Sequence, residues 1–143
     1  MKYLLLCALF FSANLIHAND ALVGIWLTGN KKGKVEIWKS ENQYNGKLIW
    51  VNEPKDESGN WKLDDQNPEE SLRARKILGL PLLNGFVYDE DNVWEDGTIY
   101  DPESGKTYSC KITLLEDGRL EVRGFIGFSL IGRSDYWTPT TLE

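Results

Sequence analysis

Between residues 21 and 138 the sequence is a succession of short runs in which apolar and polar residues alternate, each closed by turn-forming residues. Alternation of period two puts every second side chain on one face of an extended strand, so a chain of this kind builds sheet and not helices. Eight runs fit: Ala21 to Thr28, Gly33 to Lys39, Gln43 to Asn52, Leu82 to Asp89, Val93 to Tyr100, Lys106 to Leu115, Arg119 to Ile126 and Gly132 to Thr138. Ser104-Gly105 and Asp117-Gly118 place glycine where a tight hairpin asks for a positive φ. On the sixth run Tyr108, Cys110, Ile112 and Leu114 share a face, as do Leu120, Val122, Gly124 and Ile126 on the seventh. The fold class is therefore all-β. Strands dry on one side and joined by short turns close best into an eight-stranded antiparallel up-and-down barrel, because closure removes exposed edges.

One connection is too long to be a turn. Residues 53–81 separate the third and fourth runs, and Asn67-Pro68-Glu69-Glu70 within them has the chemistry of a helix start. It offers a capping side chain, a proline at the first helical position and two acids at the positive end of the dipole. This predicts one short helix from Pro68 to about Leu78, ended by Gly79, with Arg73 or Arg75 paired to an acid such as Asp64 or Asp101. Asp56, Ser58, Asn60, Asp64 and Asp65 precede it, but the glycine falls at the fourth place from Asp56 and not the sixth, so the calcium-loop template is not met. Ser104-Gly105-Lys106-Thr107 ends like a phosphate-binding loop, yet it runs into a strand and offers no helix amino terminus.

The amino terminus differs in kind. Lys2, the apolar run Tyr3 to Phe11 and the small residue closing Ile16-His17-Ala18 read as a secretory signal cleaved after Ala18. The run is about half the ~20 apolar residues that a membrane helix needs. Residues 1–18 are thus expected to be a signal peptide and residues 19–143 a single barrel domain, periplasmic or secreted, with no membrane span. Cleavage removes His17, the one histidine, and Cys7, one of two cysteines. Without imidazole, Ser/His/Asp and Cys/His nucleophiles and histidine-ligated zinc are excluded, and no metal or other cofactor is expected. Cys110 alone forms no intramolecular disulfide, and on a dry face it behaves as an inert small hydrophobe. With 22 acidic against 16 basic residues and a net charge of -6, nucleic acid and acidic membranes are unsuitable partners. Glu95, Asp96, Asp101, Glu103 and Asp135 hold the carboxylates that glycoside hydrolysis would need, but most sit in or beside turns, where such groups are ordinary solvated side chains. No catalytic residue is assigned.

Gly24-Ile25-Trp26 on the first strand and Arg133 on the last meet in a closed meander, where a guanidinium can stack over an indole and Gly24 leaves it room. Gly24, Trp26 and Arg133 resemble the barrel-closing signature of the calycins, the superfamily of lipocalins, fatty-acid-binding proteins and avidins. Further along come Val35-Glu36-Ile37-Trp38, Asn45-Gly46-Lys47-Leu48-Ile49-Trp50, Leu72-Arg73-x-Arg75, Gly97-Thr98-Ile99-Tyr100-Asp101-Pro102 and Arg123-Gly124-Phe125-Ile126-Gly127. In that order they resemble the bacterial domain-of-unknown-function family two-one-four-seven, small exported proteins with a calycin-like barrel. Lys76 stands where that family usually has proline, and Pro139 where a basic residue commonly follows the Trp137-Thr138 pair. The resemblance implies an exported lipocalin-like protein with a ligand cavity, and it carries no activity to transfer.

Small barrels either fill their interior or leave room for one ligand. Six Trp, six Tyr and five Phe are many for this length. Phe86, Tyr88, Tyr100 and Tyr108 are the candidates to line a cavity for a small apolar ligand. The alternative is an envelope module with a filled barrel, whose partner is a protein reached through aromatics such as Trp38, Trp50, Trp61 and Trp94.

Overall fold

The computed structural model describes residues 18–143, so the expected signal peptide lies, but for its last residue, outside the described residues. The alternating runs form β1 (Gly24–Leu27), β2 (Gly33–Ser40), β3 (Gln43–Val51), β4 (Pro81–Tyr88), β5 (Val93–Asp101), β6 (Lys106–Leu114), β7 (Leu120–Phe125) and β8 (Gly132–Pro139). Each strand pairs antiparallel with the next, and β1 pairs with β8 through Trp26 opposite Pro139 and Leu27 opposite Thr138, which closes the barrel. The up-and-down order puts the turns after β2, β4 and β6 at one end and the connections after β1, β3, β5 and β7 at the other. A 3-10 turn, Ala18–Leu22, leads into β1 at the first end. Leu22 is fully buried and its carbonyl accepts a hydrogen bond from Trp26 Nε1 at 3.0 Å, so the entering chain seals this closed end.

Inward side chains of every strand make one core, from Trp26, Val35 and Ile37 through Tyr44, Leu83, Phe86 and Trp94 to Ile112, Leu120, Val122 and Trp137. Trp94 meets Tyr44 and Tyr88 edge to face, with ring centroids 6.2 and 5.2 Å apart. The Phe86 ring lies directly on Gly97, since a Cβ at that residue would fall inside van der Waals contact of three ring carbons.

Strict alternation breaks at several bulges, one of them on β3, where Lys34 pairs with Trp50 and Val35 with Leu48 so that Ile49 is extra, and two others matter for the site. On β5, Trp94 and Gly97 both face inward, and Glu95 and Asp96 between them shift the register, with Asp96 at φ 63°. Every later residue of β5 changes face, which turns Ile99 inward and Tyr100 outward. On β4, Asn84 and Gly85 separate the inward Leu83 and Phe86, and the Gly85 N–H donates to Asn45 Oδ1 at 3.0 Å.

The expected helix from Pro68 to Leu78 is instead a single 3-10 turn, Glu70–Leu72. The Asn67 side chain still makes a local turn, accepting from the Glu69 N–H at 2.8 Å, but Glu69 is the residue at the N-cap and no side chain caps the turn. Beyond it the backbone pairs across the connection: the Asp64 N–H donates to the Arg75 carbonyl, the Ile77 N–H to the Lys62 carbonyl and the Gly79 N–H to the Leu48 carbonyl, at 2.8, 2.9 and 2.7 Å. These bonds capture the groups that would have propagated a helix whose nucleation is costly at this length. They also seat Leu80 as a buried residue and Ile77 against the core. Among the described residues no helix is long and apolar enough to cross a membrane.

Candidate functional site

At the open end the inner faces of β5 to β8 and the adjoining loops border a broadly open cavity of about 810 Å³. Ile99, Tyr108, Val122, Gly124 and Trp137 form its wall, Ile126 and Ile131 its lip, and Asn30 and Pro102 stand across the mouth. Val122 and Trp137 also belong to the buried core, so they are the floor where packed interior gives way to space. The volume lies within the ~300–1,000 Å³ of small-molecule sites, and the lining has the apolar majority usual of them.

The polar groups sit near the rim. Asp135, on the inner face of β8, accepts from Trp137 Nε1 at 2.7 Å and from the Gly29 N–H at 3.3 Å, tying β8 to the β1–β2 turn. Asp101 accepts from the Glu103 N–H at 3.0 Å and from Ser104 Oγ at 2.6 Å, and so shapes the β5–β6 turn. Arg133 is exposed at the lip.

Of the four aromatics expected to line a cavity, Tyr108 does so from the inner face, paired with Ile99. Tyr100 borders the rim, but the β5 bulge directs its hydroxyl to the outer connection, where it donates to Asp64 Oδ1 at 2.5 Å. Phe86 and Tyr88 do not border the cavity: they pack into the core on Gly97 and Trp94. Gly24 and Trp26 lie at the closed end, whereas Arg133 pairs with Gly124 at the opposite end of β8. Six residues separate Arg133 from Pro139, the partner of Trp26, which is roughly 20 Å along a strand. Arg133 therefore does not cover Trp26. The residue paired with Trp26 is Pro139, and the Leu22 carbonyl holds the indole N–H.

Outside the cavity wall, Asp64 is completely buried and gathers four groups. Its carboxylate accepts from the Tyr100 hydroxyl, from Asn67 Nδ2 at 2.8 Å and from Arg75 Nη2 at 3.0 Å, while the Asn67 N–H meets its carbonyl. Burial pushes the carboxyl upward in pKa, but the hydrogen bonds from Tyr100, Asn67 and Arg75 together outweigh it and hold Asp64 below its ordinary value. Burial and the adjoining carboxylate push the Tyr100 hydroxyl up to about 12. The expected arginine pairing is thus made by Arg75, while Arg73 Nε donates to the Asn67 carbonyl at 2.7 Å. Cys110 is buried, and burial pushes its thiol up to about 12, as befits an inert core residue.

Alternation put Val122 on the dry face but missed Ile99 and Trp137 as cavity residues. Ile99 lies beyond the bulge, and on β8 the inward positions next to Trp137 are Asp135 and Arg133, which read as an outer face. The signal in the sequence was Gly124, whose missing side chain opens the wall between Ile99 and Tyr108.

A model of the bacterial family described as "Uncharacterized protein conserved in bacteria (DUF2147)" matches residues 24–139. The chain belongs to this family. The matched span begins with the first residue of β1 and ends with the last of β8, so the match covers the whole barrel. Among solved structures the chain is similar to protein HP1028 from the human pathogen Helicobacter pylori, described as belonging to the lipocalin family. The two share 23% identity and a TM-score of 0.72, over 85% of this chain and 84% of that one, a likeness of fold. No match was found among curated protein sequences. This member of the family is lipocalin-like in architecture, with a barrel packed solid at one end and hollow at the other.

Proposed function

We propose that the protein is exported and holds a small, largely apolar molecule in the cavity at the open end of its barrel. The observation that carries this reading is the hollow itself: about 810 Å³, walled by Ile99, Tyr108, Val122 and Trp137 and floored by packed core. Apolar surface left facing such a space gains free energy when a ligand covers it. Tyr108 and Trp137 are the aromatic contacts, and the Tyr108 hydroxyl and Arg133 supply polar groups toward the mouth.

Protein recovered from its own cell envelope is expected to carry a bound mass in native mass spectrometry. Fatty acids or other apolar probes should quench Trp137 saturably. Gly124→Leu directs a side chain into the hollow and is expected to weaken that quenching at least tenfold while far-UV circular dichroism stays unchanged. Fractionation should place the chain outside the cytoplasm at the mass of residues 19–143. No bound mass and no saturable quenching would leave an interaction module as the better account.

A further inference from the structure

We propose that the β7–β8 connection, residues 126–131, is a docking tip that inserts into a zwitterionic phospholipid surface beside the cavity mouth. Ile126, Phe128, Leu130 and Ile131 are 75%, 75%, 90% and 72% exposed, the most exposed large apolar side chains among the described residues. The loop is nevertheless held in shape. Arg123, on the outer face of β7, donates from Nε to the Ser129 carbonyl at 2.6 Å and from Nη2 to the Leu130 carbonyl at 3.3 Å, and its Nη1 donates to Ser134 Oγ at 3.0 Å. Within the loop the Ile131 N–H donates to the Phe128 carbonyl at 3.0 Å. A backbone fixed this way presents its apolar side chains to solvent as a formed protrusion.

Size and charge choose the occupant. The four side chains offer roughly 600 Å², at the upper edge of the largest patch on an ordinary monomer. That is short of the ~800 Å² per partner that a stable protein interface buries. A protruding tip also needs no shape-matched partner to enter a bilayer interface, where apolar side chains partition one by one. The hollows flanking the loop carry Lys111 and Arg133 against Glu95, Asp96, Asp101 and Asp135. With the chain at a net -6, anionic headgroups would be repelled, which commits the surface to zwitterionic lipid. Ile126 and Ile131 line the cavity lip as well, so an inserted tip brings the opening to the lipid surface. Docking does not depend on the cavity being occupied.

Residues 19–143, which hold the whole closed barrel, are mixed with phosphatidylcholine vesicles and floated on a density gradient. The protein is expected to float with them, less so as phosphatidylglycerol replaces phosphatidylcholine, and Phe128→Ser with Leu130→Ser should lower partitioning at least tenfold with circular dichroism unchanged. As a second readout, Leu130→Cys carries a polarity-sensitive dye, Cys110 being buried, and its emission should shift to the blue with vesicles. No flotation and no shift would overturn the proposal, as would partitioning that survives the double substitution. A concentration-dependent dimer in sedimentation equilibrium, abolished by that same pair, would replace the lipid with a second copy of the chain.

Discussion

Gly97 and Gly124 flank Cys110 on the inner face of the barrel, one strand to either side, yet they border opposite interiors. The space over Gly97 is taken by Phe86, behind which Trp94, Tyr44 and Tyr88 pack edge to face. The space over Gly124 stays open, and an added Cβ would meet Ile99, Tyr108 and the Ser109 carbonyl at 3.5, 3.6 and 4.0 Å, all ordinary contact distances. The difference lies in what the neighbouring strand brings across. The β4 bulge carries Phe86 inward, whereas β8 offers Arg133 and Asp135, whose polar ends stay at the rim. One pattern of alternation thus makes a solid core on one side of the barrel and a cavity on the other, according to the size and polarity of a few inward residues.

The largest expected effect tests the filled side. Trp94→Ala removes a fully buried indole from the aromatic cluster and should cost about 4 kcal/mol in urea unfolding. Tyr108→Ala, on the hollow side, leaves fewer neighbours unsupported and should cost about 1 kcal/mol. Equal losses would show that the cavity side is packed as tightly as the other and would break the contrast.

The hollow side is braced from outside by Asp64, so its removal is expected to come next. Asp64→Ala leaves Tyr100, Asn67 and Arg75 without their common acceptor and should cost about 3 kcal/mol. The titrations of the pair run in opposite senses. The Asp64 carboxyl is depressed in the folded protein, so its stabilisation is present above its ordinary value of 3.8 and is lost as pH falls below it. Tyr100 is raised to about 12 in the folded protein against an ordinary 10.0, so its stabilisation is present below pH 10.0 and is lost as pH rises toward about 12. Melting curves across both ranges should show the two declines, and Tyr100→Phe should lessen the alkaline one, to which the raised Cys110 thiol also contributes, at a cost of about 1–2 kcal/mol near neutrality.

Gly97→Ala should follow at about 2 kcal/mol, because the new methyl collides with a Phe86 ring that has no free space to retreat into. A loss below about 0.5 kcal/mol would mean that Phe86 moves freely and that the filled side is looser than its contacts indicate.

The barrel was legible because period-two alternation and turn residues are local, and all eight strands fall where those signals put them. Tyr108 and Cys110 were read onto the correct face for the same reason, as β6 carries no bulge. Tyr100 borders the cavity rim, but its inward direction was misread because counting by twos from Trp94 passes through Asp96 to Tyr100, and the bulge that breaks the count depends on a positive φ at an aspartate. The helix was misread because the turn chemistry at Asn67 is local, while the partners that captured the following backbone, Leu48 and Lys62, lie outside the segment. The pairing of Trp26 with Arg133 failed on register. Adjacent strands were inferred correctly, but which residues stand opposite one another is set by the stagger of the closed sheet.

The smallest effect on stability is expected at Gly124, and its sign distinguishes the two sides of the barrel. Gly124 is not among the residues with positive φ, so alanine fits its backbone without strain. A methyl group there would lie at ordinary contact distance from Ile99 and Tyr108. Removing glycine's freedom from the unfolded chain favours the folded state by about 0.4–1 kcal/mol where the native conformation allows it. Gly124→Ala should therefore stabilise the protein by about 0.5 kcal/mol, a rise of roughly 2 °C in Tm for a domain of this size. The same methyl takes volume from the cavity wall, so saturable quenching of Trp137 by apolar probes should weaken as the melting point rises. A destabilised Gly124→Ala protein would mean that the wall is already closed over that residue, and the hollow side would then resemble the side that Phe86 fills.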